Sequence, residues 1–493
     1  MAFENGVMFQ FFHYKYKTGG ALWNELNSEA ANLSKKGITA IWFPPPYKGN
    51  GGGFDVGYGV YDLFDLGEFD QKGTIPTKYG TKKELEDAVK SVRDSEMQAY
   101  VDTVFNHKVG GDSHELVHAC EVDWNDRNRV YGCRDIRIWS HFRFDGRRDA
   151  DGNLSYSTME WHWWHFDSTD WDEMRKEKKL YRLKDKVFET PVSPENGNYD
   201  YLLGVDLDTR EPTVDGELRW WGRWIVDTLN VDGFRIDAVK HIRSEYFKDW
   251  LNHLRVHFSG RSLFAVGEYW SGNLDDLLTY ILNTEETLSV FDVPLHYRFF
   301  TASNSGSNYD MRTILDYTLM KEKPSKAVTF VDNHDTQPGE KLESWVEPWF
   351  KPIAYAIILL RREGYPCVFY GDYYGDRYRR DDGLDATMYS HKFLIDKFLF
   401  ARKAYGFGDQ HDYFDHPNTI GWTRLGNSAH PGSMAVVLTN GSDGYKWMNM
   451  FRPNAEYSDV TGHFGETETV KTNSDGWGRF PCPGGKVSVW LQK

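Results

Sequence analysis

Short runs of apolar, β-branched and aromatic residues recur along the chain, at Val7–Phe12, Ala40–Pro44, Ala99–Asn106, Val231–Ala238, Leu263–Tyr269, Leu288–Val293, Ala327–His334 and Pro366–Tyr370. Between several of them lie stretches with helical spacing, among them Lys82–Ser95 and Trp220–Leu229. Runs that are apolar throughout, rather than alternating, belong to strands covered on both faces. Eight of them interleaved with helices predict a closed parallel (β/α)8 barrel of the α/β class. Several runs end in polar residues: Asn106 and His107, Arg235 and Asp237, Glu268, then His334 and Asp335. In such barrels the C-terminal strand ends carry the chemistry.

Two stretches break the alternation. The connection between His107 and Val231 is rich in Trp, His, Asp and Gly, and a loop of that size needs structure of its own. Residues 108–207 are therefore expected to form an inserted domain, with a helical segment leading back to the barrel. Beyond residue 404, runs such as Met434–Thr439 and Lys486–Leu491 are bounded by turn signals such as Asn440-Gly441, which predicts an antiparallel β-sandwich over 404–493. Residues 1–107 and 208–403 are left to the barrel.

Four segments offer chemistry. In Asp232-Gly-Phe-Arg-Ile-Asp237-Ala-Val-Lys-His241, Arg235 and Asp237 stand two apart on a strand and share a face. A carboxylate beside a guanidinium stays ionised, as a nucleophile requires, although a structural Arg–Asp pair reads the same way. Ala265-Val-Gly-Glu268-Tyr-Trp270 delivers a Glu beside two aromatics, whose desolvation lifts a carboxyl toward the pKa of a general acid; a strand-end Glu in a surface contact fits the pattern too. Phe330-Val-Asp332-Asn-His334-Asp335 ends an apolar strand with groups that can bind hydroxyls or stabilise positive charge, and that also form turns. Val101-Asp102-Thr-Val-Phe-Asn106-His107 brings His107 to the mouth.

Charge narrows the partners. Lys plus Arg number 58 against 73 Asp plus Glu, a net charge of −15, which disfavours nucleic acid and acidic lipid and suits a neutral substrate or a bound cation. Aromatic residues make up 16%; most serve the core, and Tyr and Trp also suit sugar rings. No apolar run is long enough to span a membrane, and the opening Met-Ala-Phe-Glu-Asn-Gly lacks the features of an export signal, so a cytoplasmic setting is expected, or a secreted one if a leader has been removed; a monomer is expected as well. Four scattered cysteines do not make a disulfide framework; Cys120 and Cys133 could pair within one loop region, but free thiols are expected.

Together the four segments resemble the α-amylase family of glycoside hydrolases, most of all its bacterial liquefying type. Supporting stretches are Asp55-Val-Gly-Tyr58-Gly-Val-Tyr-Asp, Trp161-His-Trp-Trp-His-Phe-Asp167, Glu195-Asn-Gly-Asn-Tyr-Asp200 and Gln410-His-Asp-Tyr-Phe-Asp-His, and the likeness covers essentially the whole chain. The resemblance implies endo-hydrolysis of α-1,4 bonds in starch, glycogen and maltodextrins with retention of configuration. By position, Asp237 becomes the nucleophile, Glu268 the general acid/base and Asp335 the transition-state stabiliser. Tyr58, His107, Arg235 and His334 would surround the sugar at the cleavage point, with Lys240, Tyr269 and Trp270 on the leaving-group side and His241 also among the substrate-binding residues.

The resemblance also implies one structural calcium, held by Asn106, Asp200, Asp206 and the carbonyl of His241, all oxygen ligands of the kind calcium takes. Asp167 and Glu189 match ligands of an adjoining metal, yet Glu189 stands where the liquefying pattern has an Asp and the chain around Tyr181–Pro191 is shorter, so a second metal is in doubt. His13 and Tyr14 stand where that type has an acidic residue and a Trp, which leaves product lengths open. His114, His118 and Cys120 have a zinc-like spacing without a fourth ligand.

Overall fold

The computed structural model describes residues 5–465 and 468–493; most of the opening segment read for an export signal, residues 1–4, lies outside them. Each predicted run overlaps one barrel strand: β1 Met8–Gln10, β2 Ala40–Phe43, β3 Gln98–Thr103, β4 Gly233–Ile236, β5 Phe264–Gly267, β6 Ser289–Phe291, β7 Ala327–Phe330 and β8 Tyr365–Phe369. They pair in sequence order, all parallel, and β8 closes on β1. Nearly every residue of these strands is buried, which is why the runs read as continuous apolar stretches. Helix Lys82–Asp94 follows the predicted Lys82–Ser95; a capping box of Thr81 and Glu84 starts it, and Leu85, Ala88, Val89 and Val92 form its buried stripe.

The long connection after β3 folds into a six-stranded antiparallel sheet, in the order His107–Lys108, Val205–Leu207, Phe166–Asp172, Glu177–Leu183, Ser113–Val122 and Val130–His141. Its largest feature is the hairpin of the last two strands. Cys120 and Cys133 lie directly opposite each other in that hairpin, with Cα atoms 3.9 Å apart, and are joined by a disulfide. The expectation of free thiols is corrected: the opening residues, on which it rested, say nothing about strand register, and register is what brings the sulfurs together. Cys120 is thereby withdrawn from any zinc set, His118 pairs with Asp135 at 2.8 Å, and His114 lies against Trp139.

Past the helix Lys392–Tyr405 the chain forms a six-stranded antiparallel sheet and a two-stranded one, Gly444–Asn449 with Trp477–Cys482. Along Met434–Thr439, Ala435 and Val437 pack between the two sheets with Met448, Phe480 and Trp490, while Met434, Val436 and Leu438 join the barrel's core. No helix among the described residues is long and apolar enough to cross a membrane.

Candidate active site

Because the strands are parallel, their C-terminal ends share one mouth. Pairing of Ile236 with Gly267 sets the next residues, Asp237 and Glu268, side by side. The strands approach closely at their base, where a side chain on Gly233 would fall 2.2 Å from the carbonyl oxygen of Phe264. Just past Asp237 the backbone turns left-handed at Ala238 (φ 52°), an uncommon conformation for a residue with a Cβ. That turn aims the Ala238 N–H at Glu268, which accepts it at 2.8 Å.

Arg235, buried under this pair, holds the carboxylates in place. Its Nη1 donates to Asp237 Oδ1 at 2.6 Å and to Asp102 Oδ1 at 3.0 Å, and Nη2 lies 3.6 Å from Glu268 Oε2. Asp102 is fully buried and takes further hydrogen bonds from Tyr58 (2.6 Å) and the Trp42 indole (3.0 Å). Sequence reading included Asp102 in a segment without giving it a role; its burial follows from the register that sets it beside Arg235.

Burial pushes the Glu268 carboxyl up to about 8, opposed by Arg235 and reinforced by Asp237. Burial also lifts Asp335 above the usual carboxylate range. A Glu that keeps its proton near neutrality beside an arginine-bound Asp is an arrangement able to supply one acid and one nucleophile in adjacent positions.

Asp335 follows β7, with His334 Nε2 3.3 Å from its Oδ2. Gln10 donates to His334 Nδ1 at 2.9 Å, so the neutral ring carries its proton on Nε2, toward Asp335. Tyr58 stacks on His334 (5.2 Å between centroids, 12° between planes). The hydroxyl of Tyr14 acts on Asp335, lowering its pKa against the upward push of burial, and the Tyr14 ring meets His334 edge-on at 4.6 Å. His107 donates from Nε2 to the Tyr58 carbonyl at 2.8 Å. Tyr14 was marked only as a departure from the liquefying pattern; the polarity of a Tyr where that type has a Trp was the available signal.

Lys240 reaches Glu195 (2.9 Å) and the Trp270 carbonyl (3.0 Å), and the Trp270 indole donates to Tyr297. Tyr269 is buried beside Tyr280. His241 is buried and neutral, its Nδ1 donating to the Tyr199 carbonyl at 2.6 Å.

A buried acidic group lies where the inserted sheet joins the barrel. Asp206 pairs with Ser168, the neighbour of Asp167, on one side and with His107, the neighbour of Asn106, on the other. Asp167, Asp200 and Asp206 each offer an oxygen within 4.8 Å of the others, and the Asn106 amide lies 2.7 Å from Asp206. Burial first, then repulsion from nearby carboxylates, raises all three carboxyls: Asp167 to about 8 beside Glu189 and Asp208, Asp200 beside Asp167 and Glu189, and Asp206 beside Asp200 and Asp167. Buried carboxylates this crowded fit a divalent cation. Asp167, expected at an adjoining metal, thus shares the group with Asp200 and Asp206. Glu189 points its carboxylate at the backbone N–H of Thr209 and of Arg243 (2.9 and 3.1 Å), so its oxygens are engaged by protein donors.

Comparison with known proteins follows the same lines. The family description "Alpha amylase, catalytic domain" matches residues 198–393, and "Alpha-amylase C-terminal" matches 435–491. An α-amylase of Geobacillus stearothermophilus is 51% identical over 99% of this chain and 87% of its own length. A cytoplasmic α-amylase of Escherichia coli (strain K12) is 40% identical over 99% of each chain. A γ-CGTase structure from alkalophilic Bacillus clarkii superposes with a TM-score of 0.66 at 18% identity, covering 99% of this chain and 70% of that one, a likeness of fold.

Proposed function

The chain belongs to the α-amylase family of glycoside hydrolases and cleaves internal α-1,4-glucosidic bonds of starch, and we propose that it does so with retention, through Asp237, Glu268 and Asp335. Asp237 attacks the anomeric carbon while Glu268 gives its proton to the bridging oxygen, so the glucan on the leaving side departs as an alcohol. Glu268, now a carboxylate, takes a proton from water, whose oxygen attacks the same carbon and frees Asp237. Two inversions give net retention. Asp335 and Arg235 oppose the charges that build and decay as the oxocarbenium-like transition state passes.

The observation that carries this reading is the β4–β5 register that sets Asp237 beside Glu268, since a covalent intermediate needs carboxyls about 5–5.5 Å apart. Following the first products of soluble starch by NMR, with a reducing-end count, tests it. Early α-anomers with rising reducing ends are expected; early β-anomers would overturn the nucleophile. Glycogen and maltodextrins share the same bond and are proposed as substrates, bound along the groove that holds Tyr58, His107, His334, Lys240, Tyr269 and Trp270.

Calcium is proposed for the group of Asn106, Asp167, Asp200 and Asp206, with the carbonyl of His241. All are oxygen donors, and the ion would stabilise the junction between the sheet of 108–207 and the barrel of 1–107 and 208–403; residues 404–493 form the third domain. A monomer is proposed, to be checked by light scattering. For compartment, the E. coli relative supports a cytoplasmic setting and the Cys120–Cys133 bridge supports an oxidising one. Thiol labelling in extracts of the source cells distinguishes them, since the bridge hides two of the four cysteines.

A further inference from the structure

The inserted sheet carries a second cluster of metal-ligating side chains, which shares no residue with the acidic group or the cleft. Phe142 and Trp161 form an antiparallel bridge, each N–H reaching the other's carbonyl at 3.0 Å, and both rings are buried. Side chains alternate along extended chain, so the flanking pair His141 and His162, opposite each other across the bridge, turn to the other face. Glu160, two residues before His162, shares it. The two imidazoles stack 4.4 Å apart between centroids, and the Trp164 indole stacks on His162 at the same spacing. His141 Nε2 lies 3.2 Å from Glu160 Oε2, and one ligand atom from each of the three residues falls within 4.8 Å of the others.

The surroundings hold both rings in a metal-binding orientation. Ser113 Oγ is 3.0 Å from His141 Nδ1. Glu115 Oε1 is 2.9 Å from His162 Nδ1, and the other Glu115 oxygen is fixed by the Trp163 N–H at 2.8 Å and the Ser140 hydroxyl at 2.6 Å. The Glu115 carboxylate keeps a proton on Nδ1 of His162 and leaves its Nε2 lone pair free, the usual orientation of a ligating histidine; at His141 the Ser113 hydroxyl can accept from Nδ1, so a metal would displace the Nε2 proton now shared with Glu160. Arg148 pairs with the Oε1 of Glu160 and leaves Oε2 turned toward His141.

We propose that His141, Glu160 and His162 form a binding site for a zinc-type transition metal, through both Nε2 atoms and Glu160 Oε2. All three side chains are half-buried, so water can complete the coordination. Two imidazoles and one carboxylate suit zinc, whereas calcium takes a fuller shell of oxygens, so the two sites call for different ions. Bound there, the ion would fasten the segment around Trp161 to the end of the long hairpin.

Titrating the calcium-saturated full chain with ZnCl2, by calorimetry and by melting temperature, tests the proposal. One zinc per chain is expected, with a rise in Tm. His162→Gln and Glu160→Gln should each abolish that binding, and Glu115→Gln, which only releases a ring, should weaken it about tenfold. Calcium-dependent melting reports whether each variant is folded, and His141→Gln supplies the same test if one is not. Absence of zinc binding, or binding unchanged in His162→Gln and Glu160→Gln, overturns the assignment.

Discussion

The guanidinium of Arg235 lies 2.6 Å from the carboxylate of Asp237, two residues further along the same run of chain. Asp102 shares the same nitrogen, and Glu268 lies beside the other, so one buried cation touches three carboxylates. A lysine would keep the charge but not the fork. Arg235→Lys is expected to lower kcat on the order of 10²-fold, the cost of losing one preorganised donor. Steady-state kinetics on soluble starch check this, and an unchanged kcat would remove Arg235 from the machinery.

The acid form of Glu268 is the donating form. Burial raises that carboxyl to about 8, so the proton is present below that pH and lost above it. The kcat/KM profile should therefore fall on its alkaline side near that value, as an apparent constant of the coupled carboxylates. Glu268→Gln should lose most activity, and its residual rate should show no such alkaline limb. A limb that persists in the variant would assign it to another group.

The Tyr14 hydroxyl lowers the pKa of the Asp335 carboxyl against the upward push of burial. Tyr14→Phe removes that hydroxyl, so Asp335 should ionise at higher pH. If the ionised form is the stabilising one, the acid limb of kcat/KM moves to higher pH while the alkaline limb stays. A pH series on both proteins measures the shift; identical acid limbs would make Tyr14 a packing residue only.

The acidic group predicts an unusual dependence of stability on pH. Burial raises Asp167, Asp200 and Asp206 in the folded chain, Asp167 to about 8, whereas unfolded Asp ionises near 3.9. The metal-free folded state therefore binds more protons than the unfolded one, and its stability should decline as pH rises from about 4 to about 8. Calcium takes the place of those protons, so its gain in Tm over chelator should grow across that range. Melting curves with EDTA and with CaCl2 check it, and a gain independent of pH would contradict it.

The barrel was legible because its strands are covered on both faces and so write themselves as unbroken apolar runs. Asp237, Glu268 and Asp335 were legible because each closes such a run. The hairpin Ser113–His141 was not, since many of its residues are exposed and its charges do not alternate cleanly. Cross-strand facts escaped for the same reason: pairing of Cys120 with Cys133, the bridge that faces His141 with His162, and the gathering of Asp167 with Asp200 and Asp206 all depend on register. Asp102 escaped because a buried hub carboxylate and a structural one look alike in sequence. Tyr14 could be marked as a departure, but its effect on Asp335 arises only where the chain past β1 meets the chain past β7.

Met434–Thr439 has apolar neighbours on both sides, the sandwich on one and the barrel's core on the other, and the Trp422 indole reaches the Leu360 carbonyl at 3.3 Å across that seam. Cutting the chain after residue 404 would strip the cover from the helix Lys351–Leu360, where nearly every side chain is buried. That helix joins β7 to β8, the strand that seals the barrel against β1. The C-terminal sheet is therefore no detachable appendage: a shortened enzyme would have to rebuild that wall with polar substitutions before its cleft could hold its shape.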